Sequence, residues 1–397
     1  MTSATTTALS WELARGAAYE AGAALPRPVT EVPLGQADGG TLAQPLRTRT
    51  DLPAFPTSSV DGWATRGPAP WRIVGRVLAG TRAEPLTGAG TCVEIATGAM
   101  VPDGTEQIVR VEDSTRTPDG VTGRARNARE WREVGDEARA GEELVPAGTP
   151  VTPGLLGLAA SCGYDTLAVR PPVRCAVLVF GDELLTRGLP GDGRVRDSLG
   201  PSLPAWLRRL GAQVTEPIGP VEDTLDAHVD ALRTAIDQGA ELVCTTGGTM
   251  HGPVDHLHPA LAELGAAYVV NTVEVRPGFP MLLASAGTTV VAGLPGNPQS
   301  AIVALVSLVA PALAGLSGRP LPELPRIRLG AAVPGRGGYT HLALVDRAGR
   351  PVPHVGSAML RGLAGSVGFA VIPPGRDGAE GDEVALVPLP LLPGERP

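Results

Sequence analysis

The sequence predicts a multi-domain α/β protein whose largest part is a doubly wound parallel sheet. Its 397 residues are too many for one ordinary core and enough for roughly two to four domains. Between residues 173 and 318, continuous apolar runs alternate with amphipathic stretches, as in parallel strands joined by helices. On either side, short runs are separated by Gly, Pro, Asp and Thr, a pattern typical of β modules.

The elements before this central region divide into a helix and a β module. Residues 9–24 have a helical pattern that ends before the Pro26-Arg27-Pro28 breaker. From about residue 45 to 150, short alternating runs such as 107–112 predict an all-β module. A short helical stretch at 153–163 then leads into the central region.

The central region alternates strand and helix, which predicts a parallel sheet with ligands at the carboxyl ends of its strands. One helix carries an apolar stripe at 4-3-4 spacing from Leu225 to Ile236. The predicted strands are 173–180, 241–245 and 288–292. The predicted helices are 201–210, 224–238, 254–264 and 298–316. The remainder, about 320–397, is rich in Pro, Gly and Val and predicts a small β domain.

The composition excludes several classes of function. Hydrophobic residues make up 43% and charged residues 19%, a balance typical of soluble globular proteins. The net charge of −8 argues against nucleic acid as a partner, because phosphate backbones need a basic surface. All 33 basic residues are arginines, which excludes a Schiff-base lysine and a phosphate-loop lysine.

The cysteines and the apolar segments indicate a cytoplasmic protein without a membrane partner. The four cysteines have no paired spacing, so neither a zinc site nor a disulfide framework is predicted. The N-terminus lacks a positive region followed by an apolar stretch, so no signal peptide is expected. The longest apolar stretch, 301–316, contains Ser307 and Pro311 and is short for a membrane span, which favours a buried helix.

Three acidic or glycine-rich loops follow predicted strands. They are Gly181-Asp182-Glu183-Leu184, Thr246-Gly247-Gly248-Thr249 and Gly293-Leu294-Pro295-Gly296-Asn297-Pro298. Paired glycines let backbone N–H groups approach an anion, and the last loop opens a helix whose N-terminus favours negative charge. Phosphate or another oxyanion is therefore the expected ligand. As alternatives, a glycine pair is common in plain βα turns, and Asp182-Glu183 is a common solvated helix cap.

The order of these motifs resembles that of the molybdopterin molybdenumtransferases, the family that includes the E domain of gephyrin. Arg276-Pro277-Gly278 lies between the second and third loops, as in that family. Residues 52–64 resemble its LPxFxxSxMDGYA segment, and 95–102 followed by Val111-Glu112-Asp113 resemble its TGAxxP…VED pattern. Residues 356–360 and 371–373 resemble its last domain, so the resemblance covers nearly the whole chain.

The resemblance implies an architecture and a reaction. The implied parts are an N-terminal helix (1–26), a linker domain (27–45 and 146–172), an inserted β domain (46–145), the doubly wound molybdopterin-binding domain (173–318) and a C-terminal β-barrel (319–397). The implied assembly is a homodimer with active sites shared between subunits. In the implied reaction, molybdate is inserted into adenylylated molybdopterin with release of AMP, assisted by Mg²⁺. A molybdopterin adenylyltransferase and recipient molybdoenzymes are the implied protein partners.

The resemblance also assigns roles to site residues. Glu183 and Asp255 are the expected metal ligands, because a hard cation prefers carboxylate oxygens. The expected catalytic residues are Asp61, Thr97, Glu183 and Asp255. The expected substrate-binding residues are Asp182, Asp197, Ser198, Thr246, Gly247, Gly248, Arg276, Pro295, Gly296, Asn297, Pro298, Ser357 and Arg361. Two alternatives remain, since Asp61-Gly62 is also a good turn pair and Asp197-Ser198 a good helix N-cap.

The sequence departs from the family at its basic KPGKP loop, which is Arg276-Pro277-Gly278-Phe279-Pro280 here. Losing a charge-assisted contact at Phe279 costs about 1.5–3 kcal/mol, which weakens molybdate capture by roughly one to two orders of magnitude. Met250 and Pro253 also replace the family's serine and acidic residue. The residues that could compensate are Arg361, Ser357, His251 and His256.

Three functions therefore compete. The first is a molybdenumtransferase. The second is a catalytically impaired pterin-binding carrier or regulatory protein, which the departures at Phe279, Met250 and Pro253 favour. The third is a related molybdopterin adenylyltransferase, which accounts for the doubly wound domain but not for the β module or the tail.

Overall fold

The computed structural model describes residues 8–250 and 255–391, and the chain forms two compact units. The larger unit consists of Met1–Thr30, Gly39–Ala43 and Val169–Pro397. The smaller unit consists of Glu31–Asp38 and Gln44–Ala168.

The smaller unit is built around a four-stranded sheet, in line with the predicted β module. Its strand order is Arg72–Val77, Thr91–Ile95, Gly62–Arg66 and Gln107–Arg110. The first pair is parallel and the others are antiparallel. The other strands are Thr30–Pro33, Leu46–Arg47, Thr57–Ser58, Ser114–Thr117, Gly120–Gly123, Trp131–Arg132 and Glu143–Val145, and the helices are Leu34–Gln36, Val111–Asp113 and Pro153–Ser161.

The larger unit contains the doubly wound sheet, and the predicted fold class is confirmed. Its strand order is Gln213–Val214, Arg174–Phe180, Leu242–Thr246, Thr289–Leu294, Leu282–Ala286 and Ala267–Val270, with Ile218–Val221 also paired to Arg174–Phe180. The pairings among the first four strands are parallel, whereas the last two strands are antiparallel. The sheet is therefore mixed, and its antiparallel edge was not predicted.

Helices cover both faces of this sheet. They are Trp11–Ala23, Leu199–Arg209, Leu225–Asp237, Leu257–Glu263, Pro298–Ala304, Ala310–Leu316 and the short Arg361–Ala364. Within the strand Arg174–Phe180, Val177 and Val179 belong to one apolar core, whereas Leu178 and Phe180 belong to the other. A strand buried on both faces explains the continuous apolar run in the sequence.

The helical segment Pro298–Leu316 is the predicted buried helix. Its middle turn, Leu305–Val309, is π-helical. The segment has the length and composition of a membrane span, but 94% of its most apolar window is buried inside the protein. Trp11 of the N-terminal helix donates from Nε1 to Ser307 Oγ at 2.9 Å, which anchors that helix against this segment.

The tail forms a five-stranded sheet that includes one strand from the central region. Its order is Val275–Arg276, Thr340–Val345, Gly368–Ile372, Glu383–Pro388 and Arg326–Arg328. The first pair is parallel, with Arg276 opposite His341, and the other pairs are antiparallel. The Arg276-Pro277-Gly278 loop is therefore attached directly to the tail sheet.

Candidate functional site

A cleft of about 930 Å³ lies where the strands Arg174–Phe180, Leu242–Thr246 and Thr289–Leu294 end. It brings together the three loops that the sequence singled out. The predicted site residues that line it are Glu183, Asp197, Ser198, Thr246, Gly247, Gly248, Asp255, Pro295, Gly296, Asn297 and Pro298. Ligands in doubly wound folds bind at this edge of the sheet, so this cleft is the candidate functional site.

The first loop is fixed by a glycine and by a pair of aspartates. Gly181 has a φ of +136°, a backbone conformation that favours glycine, and a Cβ there would displace the carboxylate of Glu183. The Asp182 N–H donates to Asp223 Oδ2 at 3.2 Å, and the Asp223 N–H donates to Asp182 Oδ1 at 3.4 Å. Asp182 itself lines a neighbouring cavity of about 380 Å³, whereas Asp223, which sequence reasoning missed, lines the cleft.

The second loop is a tight glycine turn that leans on the third loop. Gly247 and Gly248 have φ angles of +86° and +67°, a region that favours glycine. The Gly247 N–H donates to Leu294 O at 2.9 Å, so this N–H is occupied by protein. A side chain at Gly248 would lie 3.1 Å from Leu257 Cβ, which leaves no room for larger residues.

A buried histidine, also missed from the sequence, packs against this turn. His228 is fully buried and stacks on Phe180, with ring centroids 3.8 Å apart and planes 17° apart. Its Nε2 lies 3.7 Å from Asp223 Oδ1, and neither ring nitrogen has a hydrogen-bond partner among the described residues. Burial lowers the pKa of His228, and the charge of Asp223 opposes this only in part. His228 is therefore a neutral packing group near neutral pH.

The third loop opens the long helix, and its N-terminus is already capped. The N–H groups of Gln299 and Ser300 donate to the carbonyl of Ser357 at 2.9 and 3.3 Å. The Gly356 N–H donates in return to Gln299 Oε1 at 3.2 Å. These two N–H groups are therefore bonded within the protein, whereas the expectation that the positive end of the helix dipole favours an oxyanion stays a prediction. Ser357 was predicted to bind substrate, and it contacts the helix N-terminus through its main-chain carbonyl.

Asp197 caps the helix Leu199–Arg209, which confirms one of the two alternatives for this residue. Its Oδ1 accepts hydrogen bonds from the N–H groups of Leu199 at 3.0 Å and Gly200 at 2.9 Å. A side chain at Gly200 would overlap the other carboxylate oxygen, so this glycine keeps the cap in place. The Ser198 side chain makes no capping bond. Both residues line the cleft.

A second cavity, of about 690 Å³, adjoins the first. Gln299 and Ser357 line it, while their chain neighbours Pro298 and Ala358 line the cleft. Arg276 lines the second cavity and not the cleft. Its guanidinium carbon lies 4.2 Å from the ring centroid of Tyr339 and 4.9 Å from that of Phe279.

Two more side chains with chemical potential line this second cavity, namely Arg336 and His341. His341 Nδ1 lies 2.8 Å from the carbonyl oxygen of Pro334, so this nitrogen carries the hydrogen. Burial lowers the pKa of His341. By contrast, the predicted residue Arg361 is exposed and is not among the described residues that line either cavity.

Asp61 and Thr97 both belong to the smaller unit and contact each other there. The Thr97 N–H donates to Asp61 Oδ1 at 2.7 Å, and both residues are exposed. Asp61 O also accepts from the Val111 N–H at 3.1 Å. Asp61 thus joins two of the segments on which the resemblance rests.

The acidic side chains of the cleft fit Mg²⁺ as partial ligands. Among residues 8–250 and 255–391, no group of three or more His, Cys, Asp or Glu side chains could hold a metal ion. Glu183 and Asp255 nevertheless line the same cleft. Mg²⁺ binds through one or two carboxylates together with substrate phosphates, so two carboxylates suffice.

Met250, which departs from the family's pattern, is exposed at the cleft. The departure at Pro253 and the candidate compensating residue His251 lie outside the described residues. The four cysteines are buried and free. Burial raises the pKa of Cys244 to about 12, so its thiol is unreactive.

Comparisons with known proteins match most of the chain. Residues 9–163 match the MoeA N-terminal region (domain I and II), 176–315 a probable molybdopterin binding domain, and 326–389 the MoeA C-terminal region (domain IV). A solved structure of the molybdopterin biosynthesis MoeA protein from Pyrococcus horikosii has a TM-score of 0.78 at 22% identity, covering 97% of this chain and 100% of that one.

Two curated relatives are similar in sequence. The molybdopterin molybdenumtransferase of Synechococcus elongatus is 30% identical over 89% of this chain and 93% of its own length. Molybdopterin molybdenumtransferase 2 of Mycobacterium tuberculosis is 33% identical over 75% of this chain and 78% of its own length. With all three domain matches in the expected order, the chain belongs to the molybdopterin molybdenumtransferase family.

Proposed function

We propose that this protein is a transferase of molybdenum cofactor biosynthesis that inserts molybdate into adenylylated molybdopterin and releases AMP. One observation carries the proposal: a single cleft holds Glu183, Asp255, the Thr246–Gly248 turn and the loop from Pro295 to Pro298. Carboxylates beside a glycine turn suit a phosphorylated ligand that arrives with a divalent cation. The named activity of the curated relatives supports the same reaction.

The cleft residues divide the work of binding and orienting this substrate. The Thr246–Gly248 turn receives the terminal phosphate of the pterin, and Asp197 and Ser198 line the pterin or nucleotide part of the cleft. Glu183 and Asp255 would hold Mg²⁺. A divalent cation there would supply neutralisation and polarisation of the substrate phosphate. Asp182 acts indirectly, because its bonds to Asp223 fix the loop that carries Glu183.

The second cavity receives molybdate in this proposal. Arg276 is its principal cation, and Ser357 lies at the wall that it shares with the cleft. Arg361 stays a proposed contributor, since the helix Arg361–Ala364 follows the loop that lines both cavities. Asp61 and Thr97 stay proposed catalytic residues of the smaller unit.

We further propose a cytoplasmic homodimer with the five-part division of the chain given by the family resemblance. A molybdopterin adenylyltransferase is the proposed supplier of substrate, and molybdoenzymes are the proposed recipients of product. The competing adenylyltransferase function does not account for the matched N-terminal and C-terminal regions, so it is set aside.

A single-turnover assay tests the proposed activity. Purified protein is mixed with adenylylated molybdopterin, Mg²⁺ and molybdate, and the release of AMP is followed. We expect molybdate-dependent release that Glu183→Ala abolishes. The matched control is Glu263→Ala, which removes an exposed carboxylate outside the cleft and should leave the rate unchanged. Tight pterin binding without AMP release at any molybdate concentration would instead identify a non-catalytic pterin carrier.

A further inference from the structure

We propose that Phe279 and Tyr339 are positioning residues that hold the guanidinium of Arg276 in place for an oxyanion in the second cavity. The inference deepens the proposed function and rests on it for the identity of the oxyanion. It concerns the residue at which the chain departs from the basic loop of its family. In this proposal Phe279 orients the guanidinium of Arg276, whereas the family has a positively charged residue at the position of Phe279.

The three side chains form one cation–π cluster. The ring planes of Phe279 and Tyr339 are 89° apart with centroids 5.9 Å apart, so the two rings make a corner. The guanidinium of Arg276 lies over both rings. Cation–π contact holds a guanidinium by its charge and does not use its N–H donors, and a guanidinium offers more donors in a fixed arrangement than a lysine ammonium does.

No acceptor within residues 8–250 and 255–391 competes for those donors. Among the residues that the structure describes, none forms a hydrogen bond or an ion pair with the Arg276 side chain. Arg276 is half-buried and lines the cavity. A half-buried arginine that only aromatic rings hold is available to a ligand, and an oxyanion accepts from two of its donors at once.

The backbone explains why these three residues meet. The parallel pairing of Val275–Arg276 with Thr340–Val345 sets Arg276 opposite His341, two residues along the chain from Tyr339, and from there the long Arg276 side chain reaches the Tyr339 ring. The chain then turns at Gly278, where φ is +104°, and Phe279 O accepts from the Val273 N–H at 3.2 Å. This turn brings the Phe279 ring back onto Arg276.

The charges around the cavity match an anion. The two arginines Arg276 and Arg336 line it, beside the imidazole of His341, whose pKa burial lowers, and no carboxylate is among its described lining residues. A free arginine side chain samples many rotamers, and ordering it upon binding opposes affinity. Because Phe279 and Tyr339 already order the Arg276 side chain, binding an anion requires less loss of side-chain entropy at Arg276. In this proposal, the better orientation of Arg276 offsets the absence of a cation at position 279.

Substitutions that separate aromatic character from size test the proposal. Phe279→Leu and Tyr339→Leu remove a ring, whereas Phe279→Tyr and Tyr339→Phe are matched controls that keep one. We expect each leucine variant to raise the half-saturating molybdate concentration for AMP release by roughly three- to tenfold. The rate at saturating molybdate and the affinity for adenylylated molybdopterin should stay unchanged, and the aromatic controls should behave like the parent protein.

Two results would overturn the inference. One is an unchanged molybdate dependence in both leucine variants. The other is a lower rate at saturating molybdate with the same half-saturating concentration, which points to a general structural defect. If Phe279→Leu does not fold, Phe279→Met and Tyr339→Leu provide the same comparison.

Equilibrium dialysis with molybdate separates this inference from the proposed function. It needs no turnover and uses the full chain. Weaker molybdate binding in the leucine variants, but not in the aromatic controls, supports the inference even if AMP is never released. Equal binding in all variants contradicts it even if the parent protein turns over.

Discussion

The main-chain carbonyl of Ser357 caps the long helix by accepting the N–H of Gln299 at 2.9 Å. The first N–H groups of a helix lack partners inside the helix, so they need an acceptor from elsewhere. Here that acceptor comes from the loop at residues 356–360, which also lines both cavities. The cap therefore holds this part of the tail against the candidate site.

The side chain of Gln299 is expected to hold the loop at residues 356–360 through a second hydrogen bond. It is buried and accepts the Gly356 N–H at 3.2 Å. Gln299→Leu removes this acceptor at nearly constant size and should lower the free energy of unfolding by about 1–2 kcal/mol. Hydrogen exchange at residues 353–360 should become faster. Exchange that matches the parent protein would show that the Ser357 cap alone fixes the loop.

Asp197 is expected to act through its cap as well as through any contact with substrate. Asp197→Ala should lower the free energy of unfolding by about 1 kcal/mol, because two N–H groups lose their acceptor. Asp197→Asn keeps an acceptor and should unfold like the parent protein. Thermal unfolding measures the cap, and AMP release by Asp197→Asn measures the substrate role. An Asn variant with full stability and full activity would reduce Asp197 to a capping residue.

A buried ion pair is expected to make stability depend on pH. Arg27 contacts Glu241 through Nε at 2.7 Å and through Nη2 at 3.1 Å. Its other donors reach the carbonyls of Leu316 and Pro171, both at 3.0 Å. Burial by itself raises the pKa of Glu241, but the bonds from Arg27 and from the Arg174 N–H outweigh it and lower the pKa below 4.5.

Since the folded pKa of Glu241 is lowered, the ion pair contributes its full stability above about pH 4.5 and loses it as the pH falls through the folded value. Glu241→Gln leaves the largely buried Arg27 without its counter-charge and should cost about 1.5–3 kcal/mol at pH 7, because charge-assisted hydrogen bonds are lost. Thermal unfolding between pH 3 and pH 7 checks this. The gap between the two proteins should narrow at acidic pH, and a constant gap would contradict the assignment.

The crossing of the N-terminal helix with the long helix is expected to tolerate no side chain at two glycines. A Cβ at Gly315 would overlap the carbonyl of Tyr19, and one at Gly22 would overlap that of Ala312. Gly315→Ala should therefore destabilise the protein by about 1–3 kcal/mol. Gly16→Ala is the control, because nothing lies within 4 Å of its added Cβ, and it should stabilise by up to about 1 kcal/mol. Equal melting temperatures for both variants would disprove the close crossing.

Local pattern was enough to predict the central helices and strands. The helix predicted at 224–238 is Leu225–Asp237, with Thr224 as its N-cap, because the apolar stripe and the cap are both written in adjacent residues. The strands Leu282–Ala286 and Ala267–Val270 were missed. A short apolar run does not distinguish strand from helix, and antiparallel pairing at a sheet edge depends on residues far along the chain.

The site could be predicted in part for the same reason. Its glycine-rich loops follow buried strands, and that position alone predicts their convergence. Asp223 was missed because the strand before it, Ile218–Val221, contains Gly and Pro, which are uncommon within strands and argue against a strand at this place. The Ser357 cap uses a main-chain carbonyl, which leaves no trace in the residue type. The contact of Arg276 with Tyr339 depends on the pairing of two strands about 65 residues apart, which the periodicity of a sequence does not predict.

The three loops of the cleft are each fastened to a neighbour before any ligand arrives. Asp182 is bonded to Asp223, Gly247 to Leu294, and Gln299 to Ser357. These loops therefore lose their conformational entropy when the protein folds, and substrate binding requires no further ordering of them. We therefore expect substrate to bind to a preorganised site without closure of these three loops. The loops should keep the same geometry whether the cleft is empty or holds substrate or product.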